Sequence, residues 1–216
     1  MNDEDLAEAR RAQRAGDHAT ALSIYRRFAE DGNARAQDEL GMMYENGQGV
    51  TRSYAEAVKW YRRAADKGYA PAQNNLGIMY ETGRGVARDT AEAARWYRKA
   101  AENGDANAQH NLGNRYQSGD GVPQDHAAAI EWYRKAANQL HPMAQANLGV
   151  MYERGYGAPK DLVEAQMWYM LSASRFRASE AKNRGLVIKN RDQLAAKMTP
   201  AQVAEARRRA RQWRPG

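Results

Sequence analysis

A 36-residue repeat constrains this chain more than any other feature of its sequence. The motif Ala-Gln-x-x-Leu-Gly-x-x-Tyr occurs four times without gaps, beginning at Ala36, Ala72, Ala108 and Ala144. Trp-Tyr pairs and Gly-x-Gly pairs recur in the same frame. Such regular spacing predicts a chain built from stacked copies of one supersecondary unit, because a single copy could not bury its apolar face alone.

Each repeat is predicted to contain two helices. In the first copy, Ala36, Leu40, Gly41 and Tyr44 share one face at a period of 3.6 residues. The second helix of each unit follows a residue of N-cap type, and these residues also lie 36 apart: Asp17, Ser53, Asp89, Asp125 and Asp161. The pattern predicts first helices over 36–46, 72–82, 108–118 and 144–154, and second helices over 53–66, 89–102, 125–138 and 161–174.

Glycine marks two further places in every repeat. Gly41 and its equivalents lie mid-helix, where Gly costs about 1 kcal/mol relative to Ala. Because this cost recurs in one frame, we expect a backbone to cross each first helix too closely for a Cβ atom. The Gly-x-Gly pairs lack a preceding strand, a third Gly and a Gly-Lys-Ser/Thr motif. We therefore interpret them as turns between helices and not as phosphate loops.

The complete pattern resembles the Sel-1-like repeat, a relative of the tetratricopeptide repeat. The resemblance rests on Ala-Gln-x-x-Leu-Gly-x-x-Tyr, then Gly-x-Gly-Val, then Asp, then Ala-x-x-Trp-Tyr-Arg-Lys-Ala-Ala. It implies an all-α, right-handed α-solenoid of helix-turn-helix repeats that scaffolds protein complexes without catalysis. Residues 1–35 are similar to a tetratricopeptide hairpin, residues 36–174 form the Sel-1-like array, and residues 175–216 are predicted to be C-terminal capping helices.

Positive charge is concentrated in the C-terminal segment. The chain has a formal net charge of +7, but residues 175–216 carry +9 and residues 1–174 carry −2. We still expect this segment to fold, because Thr199, Pro200 and Gln202 suit the N-cap, N1 and N3 positions of a helix. Apolar stripes there would cover the last repeat, and they consist of Leu186, Val187, Leu194, Met198, Val203, Ala206, Ala210 and Trp213.

No catalytic or cofactor site can be assembled from the sequence motifs. The chain has no Cys, which excludes disulfides, thiolate metal sites and a Cys nucleophile. The four His show no i, i+3 or i+4 spacing, which argues against a zinc site. Ser179 and Lys182 match Ser-x-x-Lys, but the partner motifs of that chemistry do not occur. We predict a protein that is not an enzyme and uses no cofactor or metal.

The first helices are predicted to carry the binding surface. We expect positions 38, 39, 42, 45 and 46 and their equivalents to be exposed, and the resemblance implies that this helix lines the concave side. An amide offers both a donor and an acceptor, so a row of Asn suits the backbone of an extended peptide. Alternatively, the Asn side chains hydrogen-bond between neighbouring repeats. The predicted partner-binding residues are Glu45, Asn74, Asn75, Glu81, His110, Asn111, Asn114 and Asn147.

These features favour a non-catalytic scaffold or adaptor that binds a peptide or a partner domain on the concave face. Two alternatives stay open at this point. One is a stoichiometric inhibitor or immunity protein of a toxin enzyme, a role implied by some members of the family that the chain resembles. The other is a binder of nucleic acid or of an anionic membrane through the basic segment, with a steep salt dependence. We expect a monomer.

The N-terminal residues bear on localisation. The run Met-Asn-Asp-Glu-Asp is acidic and lacks the apolar region of a secretory leader. We expect a cytoplasmic location for the chain as written, and a periplasmic or secreted one if a leader has been removed.

Overall fold

The protein is all-α in the part of the chain that its computed structural model describes, residues 3–216, with side chains from residue 6 onward. Its helices divide between Asp105 and Ala106 into two compact units. The first unit holds α1 (Asp3–Arg14), α2 (His18–Glu30), α3 (Ala34–Asn46), α4 (Tyr54–Asp66), α5 (Ala70–Thr82) and α6 (Thr90–Glu102). The second holds α7 (Ala106–Ser118), α8 (His126–Asn138), α9 (Pro142–Arg154), α10 (Leu162–Ala173), α11 (Ala181–Ala195) and α12 (Pro200–Gln212), with a short 3-10 helix at Ala178–Glu180.

Helices that follow one another in sequence pack as antiparallel neighbours within each unit. In the first unit, α3 packs on α4 and α5 on α6, and α4 also contacts α5. In the second unit, α7 packs on α8 and α9 on α10, and α8 also contacts α9. The predicted two helices per repeat are therefore confirmed.

Each second helix begins where the N-cap prediction places it. The carboxylate of Asp17 accepts a hydrogen bond from Thr20 N–H at 3.1 Å, and the hydroxyl of Ser53 accepts one from Glu56 N–H at 3.3 Å. Asp89, Asp125 and Asp161 cap α6, α8 and α10 in the same way. These bonds satisfy N–H groups that have no partner within the helix. The first helices begin two residues earlier than predicted, as α3 does after its N-cap Asn33.

The mid-helix glycines accommodate a tyrosine ring. A Cβ atom on Gly41 would lie 2.6 Å from the ring of Tyr61, and one on Gly113 would lie 2.5 Å from the ring of Tyr133. Gly77 contacts Tyr97 and Gly149 contacts Tyr169 in the same manner. The predicted close approach is confirmed, but the partner is a buried side chain from the second helix of the same repeat, and not a crossing backbone.

The Gln of the repeated motif joins consecutive repeats. The Nε2–H group of Gln37 donates to the carbonyl of Ala29 at 2.9 Å, and that of Gln73 donates to the carbonyl of Ala65 at 3.1 Å. Gln145 makes the equivalent bond to Ala137. These carbonyls lie in the last turn of the preceding second helix, and each also accepts a backbone N–H from the turn that follows, as Ala29 does from Gly32 at 3.1 Å. A buried amide thus adds a second hydrogen bond to the end of one helix and fixes the start of the next.

The two glycines of each Gly-x-Gly turn have different structural roles. Gly47 ends α3 in the left-handed conformation, with φ of 70°. Gly49 also has a positive φ, and a Cβ atom there would lie 2.8 Å from the carbonyl oxygen of His18, at the start of α2. Gly85 meets Tyr54 and Gly157 meets His126 in the same manner. In these three turns the second glycine therefore lets the turn pack on the helix pair before it.

Helices α11 and α12 cover the last helix pair. Both pack on α10, and Trp213 makes an edge-to-face contact with Trp168, with ring centroids 5.7 Å apart. Thr199 and Gln202 form the predicted capping box at the start of α12. Helical folding of residues 175–216 therefore agrees with the prediction, whereas the proposed domain boundaries stay a prediction.

The predicted apolar stripe of α11 is only partly correct. Val187 and Leu194 are buried against the core of the second unit. Leu186 is 56% exposed, so its assignment to the covering stripe is wrong. Leu186 immediately precedes Val187, and adjacent residues on a helix point in directions about 100° apart, so both cannot face α10.

We expect Gly113→Ala to lower the free energy of unfolding by about 1–3 kcal/mol, because the added methyl group overlaps the ring of Tyr133. Gly185→Ala in α11 is the matched control, since a Cβ atom there meets no heavy atom within 4 Å. Ala is preferred over Gly within helices by about 1 kcal/mol, so the control should be stabilised. Urea denaturation measures both, and equal effects of the two substitutions would contradict the close-contact argument.

Candidate interaction surface

The first helices present a row of half-exposed side chains, termed here the first-helix face. In the first unit, this face consists of Glu39, Met42, Glu45, Asn75, Ile78 and Glu81. In the second unit, it consists of His110, Asn111, Asn114, Gln117, Asn147, Val150 and Glu153. The face therefore combines amides and carboxylates with single apolar side chains.

One joint between repeats of the first unit pairs a buried carboxylate with an amide. Nδ2 of Asn75 donates to Oδ1 of Asp38 at 2.9 Å, and Asp38 is only 4% exposed. Burial raises the pKa of Asp38 to about 7, while the hydrogen bond from Asn75 opposes this rise and the nearby charge of Glu39 adds to it. Asp38 therefore changes its protonation near neutral pH.

A tyrosine hydroxyl fixes the carboxylate near the end of the first helix. Tyr61 donates its hydroxyl proton to Oε2 of Glu45 at 2.7 Å, and the guanidinium of Arg84 lies 3.8 Å from Oε1. Tyr97 donates to Glu81 and Tyr169 donates to Glu153 in the same way. Each carboxylate is held in one orientation by this internal bond. An ionised carboxylate accepts up to about four hydrogen bonds, so it keeps capacity for a ligand.

In the second unit a histidine occupies the position equivalent to Asp38. Nδ2 of Asn147 lies 3.2 Å from Nε2 of His110 and 3.0 Å from Oδ1 of Asn114. The hydroxyl of Tyr133 lies 2.7 Å from Oδ1 of Asn114 and 2.6 Å from Oε1 of Gln117, and these two acceptors share its single proton. Because the Asn147 amide nitrogen is a donor, Nε2 of His110 acts as the acceptor and the ring is neutral.

The His110 ring also stacks on a second histidine. Its centroid lies 4.7 Å from that of His141, whose Nδ1 accepts the N–H of Ala144 at 3.2 Å as the N-cap of α9. Burial, together with the charge of His141, lowers the pKa of His110 to about 4, and a hydrogen bond between its ring and Asn111 opposes this shift. Both rings use a nitrogen as an acceptor, so protonation of either ring removes one of these bonds.

The structure corrects three expectations about exposure. Asp38, Asn74 and Ala146 were expected on the exposed side of their helices, but they are only 4%, 6% and 6% exposed. Each directly follows the buried Gln of the motif and lies on the packed side of its helix, where Asn75 covers Asp38. Asn74 therefore offers no open surface to a partner. The other seven predicted partner-binding residues are half-exposed: Glu45, Asn75, Glu81, His110, Asn111, Asn114 and Asn147.

Two roles were considered for the Asn side chains, contact with a partner and hydrogen bonding between neighbouring repeats. Asn75 and Asn147 do hydrogen-bond to the preceding repeat, as the alternative interpretation predicts. Contact between these amides and a partner stays a prediction. Neither role excludes the other, because an amide nitrogen carries two hydrogen atoms and the amide oxygen accepts as well.

The hydrogen bonds between side chains of different helices were not predicted from the sequence. Arg62 donates to the hydroxyl of Tyr80, and Arg134 donates to that of Tyr152. The two residues of each Arg–Tyr pair are 18 positions apart in the sequence, and those of each Tyr–Glu pair are 16 positions apart. A search for polar residues that recur in frame at a constant separation would have found both sets.

Four matches to a family model agree with this architecture. The Sel1 repeat model matches residues 34–69, 70–105, 106–139 and 142–175. The chain belongs to the Sel1 repeat family. This membership, with the helix pairs described above, makes the fold an all-α repeat solenoid.

Solved structures of Sel1 repeat proteins support the assignment. A Sel1 repeat protein from Oxalobacter formigenes is 34% identical, with a TM-score of 0.72 over 78% of this chain and 70% of its own. A protective antigen of uropathogenic Escherichia coli strains with an SLR fold is also 34% identical, with a TM-score of 0.71 over 90% of this chain and 41% of its own. A Sel1 repeat protein from Klebsiella pneumoniae, 21% identical over 88% of this chain and 91% of its own, shares the fold with a TM-score of 0.56. No curated protein matches the chain.

Sel1 repeat proteins are generally scaffolds for protein interactions, and the family is typically non-catalytic. Within the described residues, no helix combines the length and the apolar character that crossing a membrane requires. The same part of the chain contains no group of three or more His, Asp or Glu side chains placed to hold a metal ion.

We expect Asp38 and His110 to give the two units opposite responses to pH. The pKa of His110 is about 6.5 in the unfolded state and about 4 in the folded state. The unfolded state therefore takes up the proton first as the pH falls from 7 to 5, which lowers the free energy of unfolding by about 2 kcal/mol. Asp38 titrates near 4 when unfolded and near 7 when folded, so its contribution rises by about 2 kcal/mol over the same fall.

Urea denaturation of His110→Asn and Asp38→Asn at pH 5 and 7 measures these contributions. Asn is the natural residue at the equivalent position 74, which makes both substitutions mild. Relative to the parent protein, the first variant should gain stability on acidification and the second should lose it. Differences that do not change with pH would rule out both titrations.

We also expect Asn75→Ala and Asn147→Ala each to lower the free energy of unfolding by about 1–3 kcal/mol, because a buried acceptor loses its donor. Asn190→Ala, on the exposed side of α11, is the control and should be neutral or slightly stabilising. If all three variants melt like the parent protein, the two amides do not stabilise the joints.

Proposed function

We propose that this protein is a non-catalytic adaptor that binds a peptide or a partner domain on its first-helix face. The observation that carries the proposal is that the side chains of this face are half-exposed yet fixed by internal hydrogen bonds. Glu45 is held by Tyr61, Glu153 by Tyr169, and Asn114 by Tyr133. A surface whose polar groups are already ordered loses less side-chain entropy when a partner binds.

The chemistry of the face suits an extended peptide. The Nδ2–H groups of Asn114 can donate to backbone carbonyls, and the amide oxygens of Asn75 and Asn147 can accept from backbone N–H groups. Met42, Ile78 and Val150 supply separate apolar contacts for side chains of the ligand. A polar rim around small apolar spots is typical of interfaces that form and dissociate.

The other functions considered from the sequence have less support. Part of the charge of α12 is used internally, since Arg209 pairs with Glu164 at 3.3 Å and Glu205 pairs with Arg208 at 2.7 Å. This weakens the case for binding nucleic acid or membrane through the tail. A stoichiometric inhibitor or immunity protein would also bind a protein partner and would differ from an adaptor in the tightness of its complex.

Site-specific photocrosslinking in the source organism tests the proposal. A benzoyl-phenylalanine residue replaces Met42 or Val150 on the first-helix face, and Lys59 or Glu131 on exposed sides of the second helices as matched controls. We expect a discrete crosslinked partner from the first two positions and none from the controls. Crosslinks that form equally at all four positions, or only at the controls, would place the partner elsewhere.

A further inference from the structure

A cavity of about 530 Å³ lies in the second unit, beside the turn that leads into α9. Three segments form its walls: the start of α7, the turn between α8 and α9, and residues 175–180. Its volume is within the range of small-ligand pockets. Leu140 and Met143 line it on the apolar side, and Arg175 and Arg177 line it on the charged side.

The turn that forms one wall contains a residue in an unfavourable conformation. Leu140 has φ of 64°, whereas the equivalent residues of the other repeats are Gly32, Gly68 and Gly104, with φ between 82° and 88°. A left-handed conformation is costly for a residue with a Cβ atom, and such outliers concentrate at functional sites. The side chain of Leu140 is also 38% exposed, so burial of the side chain does not offset this cost.

Both arginines line the cavity, whereas Phe176 between them packs against the hydrophobic core of the second unit. Arg175 lies in the turn that follows α10, where its backbone N–H donates to the carbonyl of Ser172 at 3.0 Å, and Arg177 has an extended backbone before the 3-10 helix. Phe176 therefore holds the short segment that carries both guanidinium groups beside the cavity.

Within residues 3–216, neither Arg175 nor Arg177 forms an ion pair, in contrast to Arg208 and Arg209 of α12. One carboxylate, that of Glu180, also lines the cavity, where it accepts the backbone N–H of Arg177 at 3.0 Å and keeps its charge. The cavity thus combines a positive charge, from two arginines against one glutamate, with an apolar wall.

We propose that this cavity binds the C-terminal residue of a peptide. The terminal carboxylate lies between Arg175 and Arg177, and the last side chain packs on Leu140 and Met143. Arginine is the side chain best suited to a carboxylate, because its planar donors match the two oxygens. A C-terminal residue carries its carboxylate and its side chain on one Cα atom. Both groups can therefore occupy one cavity formed by three segments of the chain. The inference rests on the proposed function only in that the ligand is a peptide.

NMR titration of the purified full chain tests this site with small probes. N-acetyl-leucine, which carries a free carboxylate and an apolar side chain, should give saturable shifts of backbone amides in residues 140–143 and 175–180. N-acetyl-leucinamide lacks the carboxylate that accepts charge-assisted hydrogen bonds, and N-acetylglycine lacks the apolar side chain, so each should bind at least about tenfold more weakly. N-acetyl-glutamyl-leucinamide carries its carboxylate on a side chain. Equal binding of that probe would overturn the assignment to a chain terminus.

Matched variants separate this site from the general charge of the tail. Arg175→Gln with Arg177→Gln should abolish the saturable shifts caused by N-acetyl-leucine. Lys189→Gln with Arg211→Gln removes the same charge from exposed positions outside the cavity and should leave them unchanged. Equal loss of binding in both double variants, or no saturable shift in the parent protein, would overturn the proposal.

Leu140→Gly provides a second criterion. It should raise the midpoint of thermal unfolding, because the strained residue is replaced by the type that the other turns use, and it should weaken N-acetyl-leucine binding at least about tenfold. A variant that binds the probe like the parent protein would remove Leu140 from the site. These probes examine the cavity in the purified protein, so their failure is distinguishable from a failure of the crosslinks on the first-helix face.

Discussion

The contact between a tyrosine ring and a mid-helix glycine sets the geometry of every helix pair in the array. The ring of Tyr61 occupies the space that a Cβ atom of Gly41 would need, and its hydroxyl then reaches Glu45. One side chain thereby fixes the distance between two helices and the orientation of a surface carboxylate. Helix propensity opposes glycine at this position, so its presence shows that tertiary packing outweighs the local preference.

The groups that join repeats also form the candidate binding surface. Asn75 and Asn147 stabilise joints between repeats, yet both remain half-exposed on the first-helix face. In the proposed function, binding and folding therefore depend on the same amides. An alanine substitution at either position alters both, which is why the proposed crosslinks use Met42 and Val150, neighbours that make no such bonds.

Sequence periodicity predicted the helices, the caps and the turns, because these depend on residues close together in the chain. It failed for Asp38, whose burial depends on Asn75 in the next repeat, and for Leu186, whose exposure depends on how α11 meets α10. The cavity beside Leu140 could not be predicted from the sequence either. Arg175 is the last residue that the repeat model matches and Arg177 lies beyond it, so no earlier repeat contains this pair of arginines.

The joint between repeats has a consequence for how such arrays diversify. The acceptor is a carboxylate at Asp38 and an imidazole at His110, while the donor is an asparagine in both cases. An amide can serve either kind of acceptor, so one side of the joint can mutate while the other stays unchanged. A duplicated repeat can therefore change its residue at this position and still pack on its neighbour. The pH dependence of stability then differs from one joint to the next.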